Sequence, residues 1–300
     1  MNAATMPELD WERDGPGWPL HEYSRFVDAG GLRWHVQALG QGPPLLLVHG
    51  TGASTHSWRS LAPLLAPRYS VLAFDLPGHG YTRGMPAGGL SLDGMCAAVS
   101  ALLRELALHP VLAIGHSAGA AIIVRMALDR QLAPRGLVSL NGALLPLDGL
   151  QALMFRPLAR LLALTPFAAQ LFCWGARDRD AVQRLIDGTG SKLDAAGVDL
   201  YWRLVRSRAH VAGVLQMMAQ WQLEGLARDL PRLALPLALF VGTRDRTIPP
   251  GLATRVQALV PAAQVLRLEG LGHLAHEEQP APVAQAILEL AERWLGRAGA

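Results

Sequence analysis

Residues 111–122 read VLAIGHSAGAAI. An apolar, strand-like run ends in one histidine and one serine flanked by Gly115 and Gly119, and an apolar, helix-like run follows at once. The pentapeptide GHSAG fits G-x-S-x-G, a sharp strand-to-helix turn that lifts a serine hydroxyl above the end of a sheet. Glycines on either side remove side chains that would collide in so tight a turn. Ser117 is therefore a candidate nucleophile, and the turn demands a strand before it and a helix after it.

Further strand-like runs recur on both sides: LRWHVQAL (32–39), PLLLVHG (44–50), SVLAFD (70–75), GLVSLN (136–141), PLALFVG (236–242) and AQVLRLEG (263–270). Several are continuously apolar, as expected of strands covered on both faces. Helical patterns lie between them at 90–108, 119–132 and 281–295. Alternating strands and helices predict an α/β fold with a mostly parallel sheet. The alternation stops between about 143 and 230, where helices are expected without a strand. The predicted layout is a core of residues 1–142 and 231–300 with a helical cap, 143–230, inserted between two strands.

Ligands of a parallel sheet bind beyond the carboxyl ends of its strands, and polar signals fall there. HGTGAS (49–54) follows one strand; the backbone N–H groups of Thr51 and Ala118 are candidates for an oxyanion hole. Asp245, in GTRDRTIPP, and His273, in EGLGHLAHEEQP, each follow a later strand. In this arrangement His273 takes the proton of Ser117, and Asp245 orients and stabilises the imidazolium that forms. Asp148 is an alternative acid and His276 an alternative base, although His276 falls inside the next helix. His276 with Glu277 and Glu278 faintly resembles a metal motif but has no second histidine at helical spacing. His116 and His79 read as structural. His56, Trp58 and Asn141 are candidate pocket residues. Walker A and dinucleotide fingerprints are absent from the sequence, so no cofactor is expected.

Composition narrows the class. The chain has 300 residues, 51% hydrophobic and 17% charged, enough for one large domain that buries roughly 75% of its surface. The amino-terminal stretch lacks the basic start and apolar centre of a secretory leader, so none is expected. The most apolar segment, 144–174, carries Asp148, Arg156, Arg160 and three prolines, which argues against a spanning helix. Cys96 and Cys173 make no disulfide framework and read as reduced thiols. Net charge is +3, yet residues 151–210 alone hold nine basic residues against five aspartates. These are scattered arginines with one lysine, which disfavours nucleic acid and suits carboxylates or an anionic membrane surface.

With serine, acid and histidine in that chain order, each on a post-strand loop, the sequence resembles the α/β-hydrolase superfamily along nearly its whole length. The resemblance implies a mixed eight-stranded sheet with a lid. A serine at 117, rather than an aspartate, sets it apart from the haloalkane dehalogenase and epoxide hydrolase branches, whose nucleophile is a carboxylate. LLLVHGTGASTHSWRSLAPLLA, GHSAGAAI, LVSLNGALLP, GTGSKLDAAGVDLYWRLVRS and GLGHLAHEEQP are similar to the hydrolase-like accessory proteins of magnesium chelatase in bacteriochlorophyll biosynthesis. That similarity implies a cytoplasmic protein, at times peripheral to the photosynthetic membrane through its cap, with a small acyl substrate or a tetrapyrrole and the chelatase as partners. Arg156, Arg160 and Arg203 would then meet the pigment's carboxylates. Two classes stay open: a serine hydrolase, and a non-catalytic accessory or pigment-binding protein on a retained hydrolase fold.

Overall fold

Each of the seven strand-like runs becomes a strand in the computed structural model, which describes residues 8–147, 169, 173, 175 and 178–296. The strands are β1 (Ser24–Ala29), β2 (Leu32–Leu39), β3 (Pro44–Val48), β4 (Ser70–Phe74), β5 (Leu112–His116), β6 (Gly136–Leu140), β7 (Leu237–Gly242) and β8 (Gln264–Leu268). They form one sheet in the order β1-β2-β4-β3-β5-β6-β7-β8. β2 pairs antiparallel with both β1 and β4, and every other pairing is parallel. The fold is that of an α/β hydrolase. β1 had no counterpart among the strands read from the sequence. It is a half-exposed edge strand with two charged residues, so it lacks the apolar run that betrays the central strands.

Side chains of neighbouring positions leave the strands on opposite faces. Leu46, Val48, Leu72 and Phe74 pack under the helices Leu92–Glu105 and Ala118–Leu128. Leu45, Leu47, Val71 and Ala73 pack under Ala62–Leu65 and Pro280–Gly296. Two apolar layers, one per face, hold the sheet rigid. Its central strands then serve as a fixed base for the loops at their carboxyl ends.

The turn after β5 is the tightest point. Ser117 sits at φ 51°, ψ −116°, a left-handed conformation that costs a non-glycine residue about 1–3 kcal/mol. It is partly exposed while residues 112–116 and 118–120 are buried. Gly119 lies so close to β3 that a Cβ there would stand 2.1 Å from the Val48 carbonyl oxygen and 2.6 Å from that of His49. Gly119→Ala should therefore lower stability by about 3 kcal/mol or more, read as a shift of the denaturation midpoint. An unchanged midpoint would contradict this packing.

Between β6 and β7 the described residues form the helices Arg179–Gly188, Ala195–Val205, Arg208–Gln220 and Glu224–Asp229, and no strand. An amino-terminal segment fastens two of them to the core. The Glu8 carboxylate accepts hydrogen bonds from Ser207 Oγ (2.7 Å) and the Ala209 N–H, and Arg203 donates to the Gly17 carbonyl (3.0 Å). Trp18 Nε1 donates to Thr55 Oγ1 (3.1 Å), in the loop after β3. Among the described residues no helix is long and apolar enough to cross a membrane.

Candidate active site

Three post-strand loops converge above β5–β8. His273 Nδ1 lies 2.8 Å from Asp245 Oδ2, and both residues are buried. A carboxylate only accepts, so Nδ1 carries a proton, and in the neutral ring Nε2 is the nitrogen with the free lone pair. Asp245 is fully engaged: Oδ1 accepts from the N–H groups of Thr247 and Ile248, each at 2.8 Å, and Oδ2 also accepts from Asn141 Nδ2 at 2.8 Å. The side chain before Ser117 joins the histidine loop to the elbow. His116 Nε2 donates to the His273 carbonyl oxygen (3.0 Å), and the two rings lie 4.8 Å apart. Burial drives the His116 imidazole well below its usual range, so it is neutral and supplies one donor.

The loop after β3 closes the other side of Ser117. A Cβ on Gly50 would stand 2.8 Å from Ser117 Cβ, so the chain at Gly50–Thr51 lies directly against the serine. Ala118 opens the helix after the elbow, and first-turn N–H groups have no partner within a helix. The inserted helix Arg208–Gln220 roofs this loop: Thr51 Oγ1 donates to Met217 Sδ (3.5 Å), and His210 Nε2 donates to the Gly52 carbonyl (3.3 Å). His210 Nδ1 accepts from the Gly80 N–H. Neither His210 nor Met217 was expected at the site, because nothing local in their helix marks them.

A family model described as "Alpha/beta hydrolase family" matches residues 45–286, a span holding Ser117, Asp245 and His273. The chain belongs to the alpha/beta hydrolase family. Among curated members, a magnesium-chelatase 30 kDa subunit of Rhodobacter capsulatus is 39% identical over 277 residues, covering 92% of this chain and 96% of its own length. Haloalkane dehalogenase 2 of Mycobacterium tuberculosis is 26% identical over 290 residues, covering 94% and 98%. Among solved structures, an alpha/beta hydrolase fold protein from Burkholderia ambifaria superposes with a TM-score of 0.75 at 26% identity, covering 89% of this chain and 97% of that one.

In this alpha/beta hydrolase the remaining expected site residues are scattered. Asp148, Arg156 and Arg160 lie outside the described residues. Arg203 donates to the Gly17 carbonyl and is ion-paired with Asp199 (2.9 Å), a carboxylate it shares with Arg179. Trp58 is fully buried with Leu61 and Leu65, its ring 4.8 Å from His276, and faces core rather than ligand. His56 is buried as well; Ser54 Oγ is 2.7 Å from its Nδ1, and Tyr201 of the helix Ala195–Val205 stands edge-on to its ring at 4.5 Å. Asn141 donates to the acid and, with Ser139, Asp245 and Leu252, lines a small cavity behind it. His276 lies in the helix Ala275–Glu278, as its position implied.

Two buried acids elsewhere are structural. Glu277 accepts from Arg59 and from Tyr201 Oη (2.7 Å), binding an inserted helix to the core. Asp75 Oδ2 accepts from His35 Nδ1 (2.8 Å), while Ser24 Oγ donates to His35 Nε2 (3.1 Å). This serine–histidine–aspartate chain is closed over by the rings of Trp11, Phe26 and Tyr81, 4.6–5.5 Å from the imidazole. Burial alone would raise the Asp75 carboxyl, but His35 and the converging donors hold it well below its usual range. Its Oδ1 accepts the Thr55 N–H (2.7 Å), so the pair braces the loop that carries Thr51.

Proposed function

We propose that this chain is a serine hydrolase of ester or related acyl bonds. The observation that carries the reading is the His273–Asp245 hydrogen bond at 2.8 Å, which orients the imidazole and directs Nδ1 to the acid, leaving Nε2 as the nitrogen available to a base. The triad is Ser117, Asp245 and His273. Ser117 Oγ attacks the acyl carbon as its proton passes to His273 Nε2, and the oxyanion is met by the N–H groups of Thr51 and Ala118. The imidazolium returns that proton to the leaving alcohol. Water then repeats the sequence on the acyl-serine and releases the acid. No cofactor takes part. A halide-displacing reaction would need a carboxylate where Ser117 stands.

The substrate we infer is a tetrapyrrole ester formed near the magnesium-chelatase step of bacteriochlorophyll synthesis. Identity of 39% with a chelatase-named relative supports the pathway, and the arginine excess of residues 151–210 suits a pigment's carboxylates. In this reading residues 143–230 cap the site, and the protein is cytoplasmic with peripheral contact to the photosynthetic membrane. The relative's name also favours a second reading, a non-catalytic accessory that assists the chelatase. A fluorophosphonate separates them. If the triad is active, Ser117 Oγ bonds phosphorus, fluoride departs and His273 takes the proton; the adduct maps to residue 117. An unmodified protein after prolonged exposure at neutral pH leaves the accessory reading.

A further inference from the structure

Asn141 occupies the first position after β6 and does more than end the strand. Its backbone is left-handed at φ 48°, a conformation asparagine tolerates better than most residues. Its N–H donates to the Phe240 carbonyl on β7 (2.8 Å). Its side-chain nitrogen donates to Asp245 Oδ2 (2.8 Å) and, more weakly, to the Gly272 carbonyl next to His273 (3.3 Å). One amide thus joins the loops after β6, β7 and β8. The amide cannot be turned around, because its oxygen would then face a carboxylate and a carbonyl, both of them acceptors. Asn141 is 3% exposed, and water does not substitute easily for its donors. On Asp245 Oδ2 it shares one oxygen with His273 Nδ1.

We infer that Asn141 is a positioning residue of the triad: by holding Asp245 Oδ2 and the Gly272 carbonyl together, it sets the angle and the charge that His273 meets. The inference rests on the serine-hydrolase reading. Donation by Asn141 draws off part of the negative charge on Oδ2, which tempers how strongly the carboxylate stabilises an imidazolium. Without the donor, Oδ2 is freer to rotate and more negative when it does face the ring. Two effects follow together. The rate falls on its pH plateau, and the acid limb of the rate profile moves to higher pH, since the histidine then holds its proton more tightly.

The test is the second-order rate of fluorophosphonate labelling at Ser117 as a function of pH. Asn141→Leu keeps the bulk and removes the donor. Labelling should slow by about 10- to 100-fold on the plateau, the range in which losing a group that orients a reacting side chain falls. Its acid limb should sit at higher pH than in the unaltered protein. Asn141→Asp puts a carboxyl group where the amide stood, at hydrogen-bonding distance from Asp245, and two such groups cannot both ionise freely. Its profile should show an extra ionisation, and this variant keeps the proposal testable if the leucine one fails to fold. A residue that only supports the fold would reduce the labelled fraction and leave the limb in place. Profiles that superimpose on the unaltered protein for every folded variant overturn the role of Asn141 and leave the hydrolase reading intact. No labelling of the unaltered protein overturns both.

Discussion

Ser117→Ala should abolish ester hydrolysis, with turnover falling on the order of 10⁶-fold. The replacement removes only a hydroxyl from a partly exposed position, so the fold should stay intact and its circular dichroism unchanged. His273→Ala should cost a similar factor, and the double variant little more, because the two groups act as one unit. A residual activity within tenfold of the unaltered protein would remove Ser117 from the chemistry. The same substitution decides between the two functional readings in the cell. A strain carrying Ser117→Ala that makes pigment at the normal rate would show that the pathway uses the protein without its hydroxyl. Arrested pigment synthesis, with the variant present at normal level, would tie the pathway to catalysis.

Mild acid should unfold this protein steeply. Burial lowers six imidazoles from the usual value of about 6.5: His49, His56, His79 and His116, with His210 brought to about 4 and His276 to about 3. The sign follows from proton counting. Below pH 6.5 the unfolded chain takes up protons at these sites and the folded one does not, so stability falls as pH falls through this window. At pH 5, His210 and His276 each cost about 2 kcal/mol, and the other four act in the same direction. That approaches the whole stability of a typical domain, about 5–15 kcal/mol. Glu277, whose carboxyl is pushed up by burial, works the other way, but it is one group starting from a lower range. Thermal midpoints measured from pH 7.5 to 5 should drop continuously, with most of the loss below pH 6.5. A flat profile across that window would mean that these rings are hydrated.

The central sheet and the elbow were legible because their signals are local. A buried parallel strand must be apolar along its length, and a serine turn between strand and helix must have glycine where the chain closes on its neighbour, as Gly119 does on β3. The order Ser117, Asp245, His273 could be read because the first two follow such strands, β5 and β7, and the third follows the half-exposed edge strand β8. What stayed hidden is pairwise and distant. Asn141 reaches Asp245 across 104 residues, Tyr201 reaches Glu277 across 76, and His35 reaches Asp75 across 40. A buried polar residue must have a partner, but its own neighbourhood does not name that partner. The same limit misplaced Trp58, whose ring is core material although it stands near the HGTGAS loop in sequence.

Glu8, Gly17 and Trp18 anchor a stretch of chain that touches the inserted helices at one end and the Thr55 loop at the other. Any outward movement of the helices that carry Arg203 and Ala209 pulls on this tether, and the tether on the loop after β3. Displacement at one end is thus felt at the other through one short run of chain.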